Sequence, residues 1–417
     1  MTDHRHILLA QFGAFCASEG ATRLTHVFAA VVAARYLSPS ELGLAALAIA
    51  VSEMVKAMAN GGLGPQLIAV DGKELAAHAR TCQRLAYWTC FGAAGIQCVL
   101  GLLLAHWMDA PILAPLLASL ALVYPIMAPG LVSCFLIMRE GRLAKTAEIS
   151  ATQMVTDNLL TIVLLLLWPS VWALVIPKLL VAPVWLARTR SARPWRADQT
   201  VPPAPSWPLL RFGAHVAMAE LAATARLQGD KLLLGLILGA DALGVYVFAF
   251  NAGLGISLAL CGAFSLIAYP KLCRSEVPAR ELPALIGLGL VVIAPLTLLQ
   301  SLGAPLYVPL LFGEHWREAA PLIGVLCLAA PARLMGGISQ QFLRATHRTD
   351  SDAAWAWGST ILTLGTVVAA AMAGSVGGAI HVYTFITWVC DGLLCAFVLG
   401  SLSQTTRPSA RSTPCKP

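Results

Sequence analysis

Charge is what this chain has least of. Only 12% of its 417 residues are Asp, Glu, Lys or Arg, about half the ~25% of an ordinary soluble domain. No stretch is long and polar enough to form a soluble domain of its own. Eleven cysteines are present, but none forms a CxxC pair or a cluster with histidine. Cys16, Cys90, Cys98, Cys134, Cys261, Cys327, Cys390 and Cys395 lie inside apolar runs and read as small buried hydrophobes, which excludes a disulfide frame or a cysteine metal centre. No GxxxxGK[ST] loop occurs, which argues against nucleotide hydrolysis by this chain. No metal, cofactor, catalytic residue or nucleic-acid partner is expected.

What remains is apolar. Hydrophobic residues make up 58% of the chain, and its mean hydropathy of +0.74 is spread over the whole length. That pattern indicates an integral membrane protein with many spans. At the N-terminus, "MTDHRHILLAQFGAF" is a small basic flank followed by an apolar run, which Glu19 and Arg23 then interrupt; with no small-residue cleavage site at a suitable distance, it is expected to be an uncleaved first span. Windows of about 20 mainly apolar residues predict twelve helices, at 10–36, 43–70, 85–107, 111–138, 148–168, 170–187, 208–238, 242–268, 284–303, 319–345, 353–373 and 376–400.

The connections alternate in charge. One set carries nineteen of the 28 Lys and Arg residues, and the other has little beyond Arg35 and Arg317. The positive-inside rule then expects both termini in the cytoplasm, which needs an even number of spans. Trp107, Trp168 and Trp316 fall at expected outer ends and Trp88 and Trp207 at inner ends, as interfacial anchors would. The longest cytoplasmic connection, "RTRSARPWRADQTVPPAPS", is basic and then proline-rich, a linker suited to anionic head groups. It divides the chain into a lobe at 1–187, the linker at 188–206, a second lobe at 207–400 and a cytoplasmic tail at 401–417 expected to be disordered.

The halves repeat weakly. Phe12-Gly13-Ala14 matches Phe212-Gly213-Ala214, Glu19 matches Glu220 after one inserted residue, and Leu42-Gly43 matches Leu243-Gly244 at an offset of 201. Six spans per half make the repeats parallel, so the expected fold is all-α, twelve transmembrane helices in two six-helix lobes related by a pseudo-two-fold along the membrane normal.

Several stretches together resemble a known family. They are "GDKLLLGLI" followed by "LGADALGVYVFAFNAG", "LSPSELGLAALAIAVSEMVKAMANGGLGPQLI", "AYPKL", and "YVPLLFGEHWREAAPLIGVL". In order and spacing, from about Phe12 to about Thr346, the chain resembles the oligosaccharide flippases of the polysaccharide transporter family, within the multidrug/oligosaccharidyl-lipid/polysaccharide exporter superfamily. The resemblance implies a multi-pass protein of the bacterial cytoplasmic (inner) membrane. It would flip a polyprenyl-pyrophosphate-linked oligosaccharide by alternating access, for surface or extracellular polysaccharide synthesis. Its partners would be that glycan, membrane lipids, and a polysaccharide polymerase or other assembly proteins. The twelve windows depart from the fourteen spans of many members.

Charges inside spans are costly, about 2.5–3.5 kcal/mol each at mid-bilayer, and are expected to face a cavity or a partner. Glu19 with Arg23, Glu53 with Lys56, and Arg226 with Asp230 are one helical turn apart, and Glu220 and Lys231 return to one face after three turns. Such pairs neutralise themselves, which by itself explains their presence. A pyrophosphate would need cationic donors, preferably guanidinium forks. The cationic candidates for a cleft between the lobes are Arg23, Lys56, Lys178, Arg226, Lys231 and Arg333, with Arg23 and Lys231 ranked first. Glu19, Glu220 and Asp157 are candidates for ion or proton coupling. A multidrug or lipophilic-cation exporter of the same fold would instead need unpaired acids. A membrane enzyme on lipid-linked glycans would need acids, histidine or arginine gathered on an outer loop, where only Glu314-His315 are adjacent.

Overall fold

The computed structural model describes residues 20–60, 63–275 and 277–404, and among them every regular element is helical. Ten of these helices are long and apolar enough to cross a membrane, which makes the chain a multi-pass membrane protein. The chain forms two compact units, Met1–Gly244 and Val245–Pro417.

In the first unit, α1 (20–36) is followed by α2 (Pro39–Asn60), a short α3 (Leu63–Ala69) and the long α4 (Leu75–Trp107). The turn into α2 is a capping box. The Ser38 amide donates to Glu41 Oε2 at 2.9 Å and the Glu41 amide donates to Ser38 Oγ at 3.3 Å, so two amides at a helix start that lack intrahelical partners are satisfied locally. The next span, Leu113–Arg139, is built in pieces: α5 (Leu113–Ala121), α6 (Val123–Met127), a 3-10 turn at Ala128–Gly130, and α7 (Leu131–Arg139). Pro125 and Pro129 remove amide donors there, so an unbroken helix could not keep its ladder. Polar groups buried at this level pair across helices. Tyr124 meets Ser52 Oγ at 3.1 Å and also Gln97, whose Nε2 donates to Leu117 O at 2.9 Å. Then come α8 (Leu143–Leu167), packed on α9 (Trp172–Ala192).

The 188–206 linker is strapped to its own unit. Arg193 Nε donates to Glu140 Oε1 at 2.7 Å, and Arg80 donates to the carbonyls of Gln199 and Val201. Thr81 Oγ1 donates to Ala204 O at 2.9 Å, and the Ala204 amide donates back to Ala77 O at 3.3 Å. Sequence composition showed the proline-rich stretch but not these anchors.

The windows 208–238 and 242–268 run together as α10 (Ser206–Arg274), broken at Gly239 where φ is 84° and ψ is −179°. That backbone region is open to glycine almost alone, so Gly239 is what lets the chain turn between the two stretches. In the second unit, α11 (Pro278–Phe312) packs on α12 (Ala320–Cys327) and α13 (Ala329–Ala345), and α15 (Val376–Gln404) packs on α13 and on α14 (Thr349–Met372). Along α11, Val291, Leu299, Leu302, Leu306 and Leu310 are each more than 70% exposed. Such a bare aliphatic stripe is what lipid contact requires.

One tryptophan departs from its expected place. Trp107, Trp88 and Trp207 are largely exposed, as anchors would be, but Trp316 is 1% exposed. It stacks on Phe248 at 3.9 Å between centroids, and Phe248 in turn meets Phe312 edge-on at 5.0 Å. A short 3-10 turn at Glu314–Ala319 folds the indole inward after Gly313, so this position is core and not interface.

Candidate functional site

The charged side chains within the spans fall into separate groups. In the first unit, Lys178 on α9 reaches Asp157 on α8, with Nζ to Oδ2 at 2.8 Å. The side chains are 33% and 19% exposed, and among the described residues Asp157 Oδ1 is buried with no hydrogen-bond partner. Beside them Asn158 Nδ2 donates to Thr25 Oγ1 on α1 at 3.1 Å, and His26 stands near Asn158, Lys178, Asp157 and Arg23. The first-helix base and the Asp157–Lys178 pair thus belong to one polar neighbourhood built from α1, α8 and α9. Glu19 lies outside the described residues.

On α2, Lys56 and Glu53 pair at 3.4 Å as their three-residue spacing predicts, and both are about 40% exposed. On α10 the expected pairings take a different form. Among the described residues Arg226 makes no ion pair with Asp230. Arg226 is exposed, while Asp230 is buried and accepts from the Lys231 amide at 2.8 Å. Lys231 Nζ donates to Gln228 Oε1 at 2.8 Å and to Leu227 O at 3.2 Å. Glu220 is exposed. A shared helical face therefore does not by itself bring Lys231 to Glu220.

In the second unit, Arg333 on α13 is met by two side chains of α15. Its Nη2 donates to the Tyr383 hydroxyl at 3.0 Å, its guanidinium carbon lies 5.8 Å from the Tyr383 ring centre, and Nη1 stands 3.8 Å from Asp391 Oδ2. The last separation is an ion pair but too long for a hydrogen bond. Arg333 stays 39% exposed, while the Asp391 side chain is 9% exposed. Asp391 reaches this place because Gly336, one turn on from Arg333, has no Cβ; one added there would lie 2.8 Å from the Asp391 Cβ.

Spacing along one helix did not show either cross-helix pair, because the partners are 21 and 58 residues apart. The signal available was chemical: Asp157 and Asp391 are acids in apolar windows that need a base somewhere. What these arrangements offer is a partly exposed base held by an acid on a neighbouring helix. Among the described residues no group of three or more His, Cys, Asp or Glu could hold a metal ion.

Comparison with known proteins gives one consistent answer. A family model described as "Polysaccharide biosynthesis protein" matches residues 32–321. The lipopolysaccharide biosynthesis protein WzxC of Escherichia coli (strain K12) is 24% identical over 83% of this chain and 72% of its own length. The succinoglycan biosynthesis transport protein ExoT of Rhizobium meliloti (strain 1021) is 23% identical over 86% of this chain and 72% of its own. Among solved structures, the lipid II flippase MurJ in an inward closed conformation superposes with a TM-score of 0.76 at 11% identity, covering 93% of this chain and 87% of that one. An inward-facing multidrug resistance MATE transporter gives 0.71 at 14% identity, over 93% and 96%. At these identities the structural likeness shows the fold alone.

Proposed function

The chain belongs to the polysaccharide biosynthesis protein family, as the match over residues 32–321 establishes, and from that premise we propose that it flips or exports a polyprenyl-pyrophosphate-linked oligosaccharide across the bacterial cytoplasmic membrane. The family match carries this reading. Relatives matched over most of this chain include proteins named for lipopolysaccharide biosynthesis and for succinoglycan biosynthesis transport. The geometry supports it through the bases: an anionic head group needs cations in the spans, and Lys178 and Arg333 are held part-exposed by acids from neighbouring helices.

The architecture that suits this task is twelve spans in two six-helix lobes, 1–187 and 207–400, with both termini cytoplasmic. The break at Gly239 supports counting α10 as two spans, and helix 20–36 supports a first span before Pro39. Transport would follow alternating access, the head group meeting the bases Arg23, Lys56, Lys178, Arg226, Lys231 and Arg333 while the polyprenyl tail stays in lipid. Asp157, Glu19 and Glu220 are the carboxylates proposed to couple an ion or proton. The drug-exporter alternative draws on fold likeness only, and these bases do not favour a cationic cargo.

Complementation of a strain lacking the gene tests the reading. Alanine at Arg23, Lys231 or Arg333, at unchanged protein level, should abolish surface glycan and leave drug resistance as it was. Surface glycan intact in all three variants would overturn the site assignment. Drug resistance lost while glycan persists would overturn the function.

A further inference from the structure

Gly43 and Gly244 are both buried and neither has a positive φ, so no turn conformation requires glycine at either place. What requires it is a close approach of backbone. A Cβ on Gly43 would lie 2.8 Å from the Ala240 carbonyl carbon, nearer still to its oxygen, and 2.9 Å from the Gly244 amide nitrogen. A Cβ on Gly244 would lie 2.6 Å from the Pro39 carbonyl carbon, again nearer to the oxygen, and 3.0 Å from its Cα. Only glycine allows helices to meet at this distance, as small residues do at close helix crossings in membranes.

The two approaches are one contact seen from opposite sides. An offset of 201 carries Gly43 to Gly244 and Pro39 to Ala240. The contact of 43 with 240 therefore maps onto that of 244 with 39. A contact that maps onto itself when partners exchange is the signature of an interface lying on a two-fold axis. Its flanks match as well: Leu37 and Leu238, Leu42 and Leu243 are identical at the same offset. Leu37 and Leu243 are buried, and Leu243 and Leu47 both crowd Gly235, where a Cβ would lie 2.9 and 3.2 Å from their side chains. The two turns reach this shape by different chemistry, a Ser38–Glu41 capping box in one and the glycine-only backbone of Gly239 in the other.

We propose that Gly43 and Gly244 form an on-axis closure at the extracytoplasmic ends of α2 and of the second part of α10, which must part for cargo to leave and re-form afterwards. The assignment of that end to the outside rests on the topology proposed above; the contact and its symmetry do not. A contact on the axis belongs equally to both repeats, so breaking it from either side has the same effect.

Leu243→Cys serves as the reporter, in spheroplasts treated with a membrane-impermeant maleimide, with labelling of the unsubstituted chain subtracted. In the otherwise native chain this cysteine should be protected; prompt labelling would overturn the closure without any glycine being changed. Gly43→Ala and Gly244→Ala should each remove the protection, and the double variant should label no further than either single one, because one Cβ already opens the one contact. Gly92→Ala, where nothing stands within 4 Å of the added atom, should leave it protected. Protection retained in either single variant, or labelling in the double that compounds the two, would overturn the proposal. Labelling does not depend on cargo, so failure of the flippase reading would leave these outcomes unchanged.

Discussion

Replacing Arg333 by Met separates two roles that a single alanine cannot. In the native chain the guanidinium stands 3.8 Å from Asp391, whose side chain is 9% exposed. Two unit charges at that distance attract by about 4 kcal/mol at an effective dielectric of about 20. Arg333 itself is 39% exposed, and solvent screening cuts the effective loss to about 2 kcal/mol. For a cooperative unit of this size that lowers the unfolding midpoint by about 4–8 °C. The second unit carries its own reporters, since Cys261, Cys327, Cys390 and Cys395 are buried free thiols that a fluorogenic maleimide reaches only on unfolding. Arg333→Met/Asp391→Asn removes both charges and should recover most of the midpoint, because no carboxylate is left without its cation. Surface glycan should stay absent in that double variant if Arg333 touches the cargo. Recovery of both stability and export would refute the cargo role and leave Arg333 as the counter-ion of Asp391.

Two further outcomes follow from local geometry. Gly336→Ala places a methyl 2.8 Å from the Asp391 Cβ and should cost about 1–3 kcal/mol as overpacking; Gly358→Ala, on α14 with nothing within 4 Å, should stabilise by about 0.5–1 kcal/mol, and the same thiol assay compares the two signs. The Arg193 guanidinium, with Arg142 beside it, holds the Glu140 carboxyl below its ordinary value of 4.5. A lowered folded value means the clamp's contribution is complete above pH 4.5 and fades as pH falls through the lower, folded value. Hydrogen exchange at residues 193–204, corrected for intrinsic rates, should therefore hold steady from neutral pH to about pH 5 and accelerate only in stronger acid. Acceleration already between pH 7 and pH 5 would show that Glu140 does not anchor the linker.

Much of the fold was legible because lipid leaves few options: a backbone in hydrocarbon must satisfy itself, so long apolar windows become helices. The windows 111–138 and 284–303 correspond to the spans Leu113–Arg139 and Pro278–Phe312, the latter running past the window at both ends where proline and polar residues dilute the hydropathy but do not stop the helix. The burial of Trp316 was not legible, because a tryptophan at a helix start looks the same whether it faces head groups or folds under Gly313 onto Phe248. Nor were the partners of Asp157 and Asp391. Periodicity reports which residues share a face of one helix, and both acids find their bases on another. The same limit explains Arg226 and Asp230, four apart and yet pointed differently, one exposed and one buried.

That limit also reorders the candidate bases. Lys56 is bound within its own helix to an acid as exposed as itself, a pair worth little either way. Lys231 gives its ammonium to Gln228 Oε1 and Leu227 O, also on its own helix. Lys178 is committed to Asp157 at hydrogen-bond distance, so an anion must break a charge-assisted bond to take it. Arg333 is arranged otherwise. A guanidinium has five donors in a fixed plane. Here Tyr383 orients that plane through one of them at 3.0 Å, while Asp391 supplies charge from 3.8 Å without taking up a donor at hydrogen-bond distance. The fork is therefore held in place and electrically balanced, and among the described residues Tyr383 takes one of its donors at hydrogen-bond distance, an arrangement that suits the bidentate oxyanion of the function proposed above. Lysine at 333 would keep the charge but lose the fork, so Arg333→Lys should hold the protein's stability better than its export.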